Sequence, residues 1–226
     1  MHQLLTDAFG DSNPLLACPA PGYLVSKRAF DIVVASLLLI VCLPVMLLIV
    51  LAITLDSPGD VLYRQDRVGY RGKSFRMLKF RSMRPERRTQ SVAIAFADRR
   101  RALKVRTDPR ITRVGRVLRR TSLDELPQLL NILRGEMSFV GPRPEIPELI
   151  AYYRAAHYSR HTMVPGLTGW WQVRGRCVRS DGCGPADDLD SKLADDLYYL
   201  EHRSLGFDAR VLLLTVPVVM LGRGAT

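Results

Sequence analysis

Ile32 to Leu55 is a run of 24 residues without a charged side chain, closed by Asp31 on one side and Asp56 on the other. As one straight helix it would be about 36 Å long, enough to cross a hydrocarbon core of about 30 Å. A wholly apolar core helix of that length does not suit a soluble chain of 226 residues. A cleaved signal peptide would be shorter and begin earlier. The segment is therefore expected in a membrane, and its flanks decide how it sits there. Lys27 and Arg28 precede it, and Arg64, Arg67, Arg71 and Lys73 follow it closely. Both groups favour the cytoplasmic side. Pro44, near the middle, lacks an N–H and clashes with the preceding turn, so the helix should bend there. Each arm is then about 18 Å, one leaflet deep. A helix that dips in, turns at Cys42-Leu43-Pro44 and returns satisfies both basic flanks. An ordinary kinked span, with the downstream charges overriding the upstream pair, is the alternative.

The net charge of +11 is unevenly placed. Between Arg64 and Arg120 there are 20 basic residues against four acidic ones, and the remaining 13 basic and 18 acidic residues leave the rest of the chain at −5. Such a block suits polyanions: nucleic acid, anionic lipid or phosphate-bearing substrates. A solvated face without a partner is the plainer reading. Cys18, Cys42, Cys177 and Cys183 form neither a CxxC nor a disulfide framework, and reduced thiols fit a cytoplasmic compartment. His157 and His161 have zinc-helix spacing, but Tyr158 stands where such a motif needs glutamate, which favours a surface or core role.

Three regions follow from composition: a flexible leader at 1–25, the membrane helix at 26–56, and one domain at 57–226. Val61–Val68 and Ser74–Phe80 alternate around Gly69-Tyr70-Arg71-Gly72, which predicts a β-hairpin. Pro85 to Val105 reads as a charged linker or surface helix. The pattern from Arg110 is helical and stops near Arg134-Gly135. Met137–Val140 is a short strand or extended link, Ile146–His161 a further helix, and Val211–Leu221 a packed or interfacial helix. The fold class is thus mainly α with a small hairpin (α+β), monotopic on the membrane.

Asp124 and Glu125 sit where one helix should begin. Ser122 and Glu125 have capping-box spacing, Asp124 is itself a plausible cap, and Pro127 is tolerated only in a first turn. A helix start presents free N–H groups that suit a phosphate and the carboxylates handling it. Simple helix capping is the competing reading.

Several segments together resemble the bacterial sugar transferase family, the monotopic phosphoglycosyl transferases. They are KRAFD at Lys27–Asp31, the Pro-interrupted apolar segment, KFRSM at Lys79–Met83, DPRITRVGRVLRRTSLDELPQL at Asp108–Leu129, and GPRP at Gly141–Pro144. PGLTGWWQVRGR at Pro165–Arg176 and DLYYLEHRSLGFD at Asp196–Asp208 complete the order, and the resemblance runs from about Ser26 to the C-terminus. It implies transfer of a sugar phosphate from a nucleotide sugar to a polyprenyl phosphate at the cytoplasmic face of the bacterial inner membrane. It also implies a re-entrant hairpin, although many relatives have Ser-Pro at the bend where this chain has Leu43-Pro44.

Within that reading Asp124 is the candidate nucleophile, because a carboxylate can form an aspartyl phosphate and split one hard transfer into two. Glu125 is the candidate Mg²⁺ ligand. Arg119 is expected on the transferred phosphate, and Arg143, gripped between Pro142 and Pro144, in the nucleotide-sugar pocket as in relatives. Asp196 and Tyr198 could complete that pocket or simply pack. Lys27 and Arg28 are expected on lipid phosphates, Pro44 at the deepest point in the membrane, and Trp170 and Trp171 as anchors or core. The expected partners are a nucleotide sugar, a polyprenyl phosphate and membrane phospholipid. No nucleic acid is expected, and self-association is open. A reading from another class is a non-catalytic, membrane-anchored basic protein holding nucleic acid or anionic lipid. It gives no role to the acidic dyad or GPRP and requires strongly salt-dependent DNA binding.

Overall fold

The apolar run forms part of one long helix, α1 (Pro21–Asp56), which passes through Pro44 without interruption. The turn expected at Cys42-Leu43-Pro44 is therefore not a break in secondary structure. The computed structural model describes residues 21–84, 110–150, 153, 155–178 and 185–220. The leader before residue 21, the linker from Pro85 to Val105, Cys18 and Cys183 lie outside the described residues. Residues 21–25, expected in the leader, are helical instead. Pro21 is compatible with a helix's first turn, and the Tyr23 hydroxyl donates to Asp208 Oδ2 at 3.0 Å.

Both ends of α1 rest on the same body. Near the start, Lys27 is buried and pairs with Asp208 at 2.7 Å. Arg28 donates to the carbonyls of Ile132 and Leu133 at 2.6 and 2.7 Å. These contacts correct the expectation that Lys27 and Arg28 meet lipid phosphates: both cations are spent inside the protein, one on a buried carboxylate, the other on a helix C-terminus. Asp31 accepts from the Phe139 amide at 3.2 Å. At the far end, Asp56 accepts from the Val114 amide at 3.1 Å. Arg81, from KFRSM, donates to the carbonyls of Ser57 and Pro58 at 2.6 and 2.8 Å, just past the end of α1.

The apolar contacts divide the same way. Ala35 and Leu39 belong to the main core with Leu129, Ile132, Met137, Val140, Tyr199 and Val211, whereas Met46, Ile49 and Ile53 pack with Phe80 and Leu118. Each aliphatic side chain taken from water in this way contributes about 1.5–3 kcal/mol. Between Leu39 and Met46, no residue joins either cluster. Ile40 and Val41 are each 71% exposed.

β1 (Leu62–Val68) and β2 (Ser74–Phe80) form the expected antiparallel hairpin, with Leu62 opposite Phe80 and Val68 opposite Ser74. Fully buried Asn131 fastens β2 to the helix behind it. Its side chain accepts from the Leu78 amide at 3.0 Å and donates to the Arg76 carbonyl at 2.8 Å. α2 (Arg113–Thr121) lies directly on the backbone of Ser82, where a Cβ on Gly115 would fall 2.0 Å from the carbonyl oxygen; only glycine permits this approach.

After α2 come a single 3₁₀ turn (Leu123–Glu125), α3 (Gln128–Arg134) and β3 (Ser138–Val140). The helix expected over Ile146–His161 is only a short α4 (Pro147–Ile150) and a 3₁₀ stretch, Ala155–Thr162. β4 (Gly166–Thr168) pairs in parallel with β3. α5 (Trp170–Val178), α6 (Pro185–His202) and α7 (Leu205–Met220) complete the order. The expected C-terminal helix is thus present and longer. Its Val211 is fully buried while Leu213 and Val216 are 73% and 55% exposed.

Asp208 carries the junction of α1 and α7, accepting also from the Tyr199 hydroxyl at 2.8 Å. Lys27→Met should cost about 3–5 kcal/mol in denaturant unfolding, because it strands a buried carboxylate. Lys27→Met with Asp208→Asn should recover most of that loss. A single substitution within 1 kcal/mol of wild type would show that the pair does not hold α1.

Candidate active site

The dyad sits on a turn squeezed between two helices. Thr112 caps α2, accepting from the Gly115 amide at 2.9 Å. Ser122 closes the helix in the left-handed region (φ 57°, ψ 16°), a conformation that costs a non-glycine residue about 1–2 kcal/mol. Asp124 and Glu125 then lie in the 3₁₀ turn, and α3 begins only after Pro127. The expected capping box is absent, since the Ser122 side chain makes no cap. Pro127 cannot enter a helix beyond its first turn, so α3 starts after it and the residues before it wind separately.

Three other elements bring cations to this turn. Lys79, on β2, pairs with Glu125 Oε1 at 2.7 Å. Arg143, after β3, stands 3.9 Å from the same oxygen. Burial raises Asp124 to about 6, with Lys79 pulling it back and neighbouring Glu125 adding to the rise; Arg119 also draws it down. Arg119 therefore lies within the electrostatic reach of Asp124, and Arg120 is exposed. Lys79 and Arg67 were not singled out for roles from sequence. Lys79 could have been, since KFRSM was recognised. Arg67, on β1, donates to the Pro144 carbonyl at 3.1 Å. Burial, then the charge of Arg143, lowers it to about 10.

Every backbone carbonyl from Pro142 to Glu145 is held. Pro142 accepts from the Gly166 amide at 2.9 Å, Arg143 from Arg160 Nη2 at 3.2 Å, Pro144 from Arg67, and Glu145 from the Val68 amide at 2.9 Å. Behind the loop, a Cβ on Gly166 would meet the Gly141 amide nitrogen at 2.2 Å, so the two loops touch backbone to backbone.

Asp196 and Tyr198 have different surroundings. Asp196 is buried and pairs with Arg160 Nη2 at 2.7 Å. Burial pushes it up to about 6 against the pull of Arg160. At that distance and with that partner we read the pair as carboxylate and guanidinium at neutral pH. Tyr198 stacks on His202 at 4.1 Å and on Trp170 at 5.5 Å, in an aromatic group that shares no residue with the dyad's partners. Alternation along α6 explains the split: residues two apart face different sides of a helix. Trp170 packs against the core, and Trp171 lies under Lys192 at 4.7 Å.

Among the described residues, no group of three or more His, Cys, Asp or Glu side chains could hold a metal by itself. Mg²⁺ needs less, since one or two carboxylates suffice when water and substrate phosphates complete its shell. The Glu125 carboxylate is of that donor type.

His157 and His161 are both buried, as the core reading required. His161 Nδ1 meets the Gly69 carbonyl at 3.0 Å, and its ring stacks on Tyr153 at 5.8 Å. Burial, with Arg160 nearby, lowers it from 6.5 to about 4, while the Gly69 contact and Glu145 oppose. Folded His161 thus stays neutral where an unfolded histidine gains a proton. Its contribution is present above about 6.5 and lost as pH falls toward 4, amounting to about 3 kcal/mol at most. In His161→Gln, the melting-temperature gap to wild type should be widest at neutral pH and narrow toward pH 4. A gap constant across that range would show that His161 does not titrate in this way.

The bacterial sugar transferase family matches residues 22–222. The undecaprenyl-phosphate glucose phosphotransferase of Komagataeibacter xylinus is 41% identical over 211 residues, 89% of this chain and 37% of that protein. The exopolysaccharide production protein ExoY of Sinorhizobium fredii is 39% identical over 209 residues, 89% of this chain and 88% of its own length. The UDP-glucose:undecaprenyl-phosphate glucose-1-phosphate transferase of Escherichia coli is 41% identical over 207 residues, 90% of this chain but 42% of that protein. The chain thus spans less than half of two of these relatives and most of the third. With the match running from the first turn of α1 to the end of α7, the chain belongs to the bacterial sugar transferase family.

Proposed function

We propose that this chain is a phosphoglycosyl transferase that moves a sugar 1-phosphate from a uridine diphosphate sugar to a polyprenyl phosphate, at the start of exopolysaccharide or O-antigen-type assembly. The observation that carries this reading is the dyad itself: two adjacent carboxylates on a tight turn, faced by Lys79, Arg119, Arg143 and Arg67. Relatives named for undecaprenyl-phosphate phosphotransfer support it. A non-catalytic basic anchor has no use for half-buried carboxylates among cations.

The chemistry follows from charge. Asp124 uses a carboxylate oxygen to attack the sugar-bearing phosphorus of the diphosphate. The new O–P bond forms as the bond to the bridging oxygen breaks, and the nucleoside monophosphate leaves with that electron pair. A phosphate oxygen of the lipid then attacks the same phosphorus, the aspartyl O–P bond breaks, and the carboxylate is restored. Arg143 and Arg119 neutralise the phosphate oxygens, and the fixed loop keeps Arg143 aimed while charge builds. Glu125 would hold Mg²⁺, which supplies further charge neutralisation when bound. Lys79 orients Glu125 through their 2.7 Å contact.

The membrane arrangement proposed for α1 places both ends on the cytoplasmic side, with Pro44 deepest. It is supported by the ends resting on one body and by the exposed stretch between Leu39 and Met46. The exposed face of α7 adds a second apolar surface beside the first arm.

Asp124→Asn should fold, reach the membrane and lose transfer, read as nucleoside monophosphate release with Mg²⁺ and a nucleotide sugar; turnover near wild type, free of deamidation, removes Asp124 from the mechanism. Glu125→Gln should need more Mg²⁺ for half-maximal rate, and an unchanged metal dependence would sink its ligand role. A covalent intermediate requires parallel double-reciprocal plots and labelled sugar phosphate on the protein when acceptor is withheld; intersecting plots without labelled protein favour direct transfer. Topology can be read from cysteines placed singly at Ser26 and Asp60, both exposed, in a background lacking the native four. Both should resist an impermeant thiol reagent until cells are opened, and labelling of Ser26→Cys from outside would show a crossing helix.

A further inference from the structure

Arg160 is 4% exposed, lies in no motif singled out from sequence, and makes more polar contacts than any direct structural duty of its 3₁₀ stretch requires. Nη2 pairs with Asp196 at 2.7 Å and donates to the Arg143 carbonyl at 3.2 Å. Nη1 lies 3.4 Å from Glu145 Oε1 and donates to the Tyr153 hydroxyl at 3.0 Å. Lys192 adds a second cation on Glu145 at 3.5 Å. The guanidinium is thus held by carboxylates of α6 and of the loop, and the Nη2 that pairs with Asp196 also grips the backbone of the residue whose side chain faces the dyad.

We infer that Arg160, locked by Asp196 and Glu145, is a positioning residue for Arg143, and that Asp196 in the DLYYLEH segment serves the site through it. The inference rests on the phosphoglycosyl transferase reading for its catalytic consequence, but the mount itself does not. A planar fork can hold a carboxylate and a carbonyl at once, whereas a lysine offers a single point of attachment. A misplacement of about 1 Å in a phosphate-facing group costs a rate on the order of a hundredfold.

The test has two arms, both on the full chain in detergent or nanodiscs. Hydrogen exchange is followed at Val68, Gly141 and Gly166, whose amides bond to Glu145, Thr168 and Pro142. In Arg160→Lys these should exchange about tenfold or more faster, while the Leu78 amide, bonded to Asn131, keeps its rate. Unchanged exchange at all three overturns the inference. In the second arm, kcat/KM for nucleoside monophosphate release is measured for Arg160→Lys, Arg143→Gln and the double variant. Arg160→Lys should lose about ten- to a hundredfold alone and nothing further beside Arg143→Gln, because the two act as a unit. Equal losses in both backgrounds would mean a merely structural arginine and would refute the coupling. If wild type turns over no nucleotide sugar, the proposed function falls while the exchange arm still decides the mount. Should Arg160→Lys fail to fold, Asp196→Asn, which keeps the shape and removes the charge, takes its place in both arms with the same expected results.

Discussion

A lysine and an aspartate buried together at the foot of an apolar helix hold this molecule in one arrangement. Removing two charges from water is expensive, and the pair survives because Tyr23 and Tyr199 supply Asp208 with further donors. In the proposed membrane setting, lipid would solvate the apolar stretch of α1 equally well in many orientations, so hydrophobicity alone would leave the helix free to slide or rotate. Lys27 with Asp208, Arg28 on the α3 carbonyls and Asp31 on Phe139 remove that freedom. Arg81 does the same for the chain just beyond the other end. Polar contacts fix the geometry, and apolar ones supply the bulk of the driving force.

The site rests on that frame through backbone rather than side-chain packing. Gly115 lets α2 lie on the chain at Ser82, just past β2, and Gly166 lets the GPRP loop lie on β4. Glycine at these positions brings the dyad, Lys79 and Arg143 from separate segments into one small volume. Once there, the cations raise the cost of an empty site, since Arg67 and Arg143 repel one another. Under the proposed function an anionic phosphate would relieve that repulsion, as a preorganised electrostatic site does for its substrate.

Local patterns were legible and long-range pairings were not. The hairpin followed from alternation around Gly69 to Gly72, and its strands match within a residue. The apolar run stood out by its lack of charge, and the dyad by its place ahead of Pro127 and by the family resemblance around it. Ser122 misled, because its spacing to Glu125 is that of a capping box, while the proline at 127 overrode the local signal. Lys27 and Arg28 misled for another reason. A cation beside an apolar run normally meets lipid head groups, and nothing nearby in sequence reveals an aspartate 181 residues away. Arg160 and Lys79 gain their meaning only from partners on other elements, and Asp196 and Tyr198, two residues apart, turned to different neighbours.

The left-handed Ser122 has a bearing on stereochemistry. In a 3₁₀ turn successive side chains diverge by about 120°, with three residues per turn. Asp124 and Glu125 are neighbours in the chain, yet they point along well-separated directions. Two carboxylates on such a turn are poorly placed to chelate one ion side by side, and well placed to address a single phosphorus centre from different quarters. In the proposed transfer one would approach in line with the departing oxygen while the other attended the equatorial oxygens, a division of labour written into the backbone torsions ahead of them.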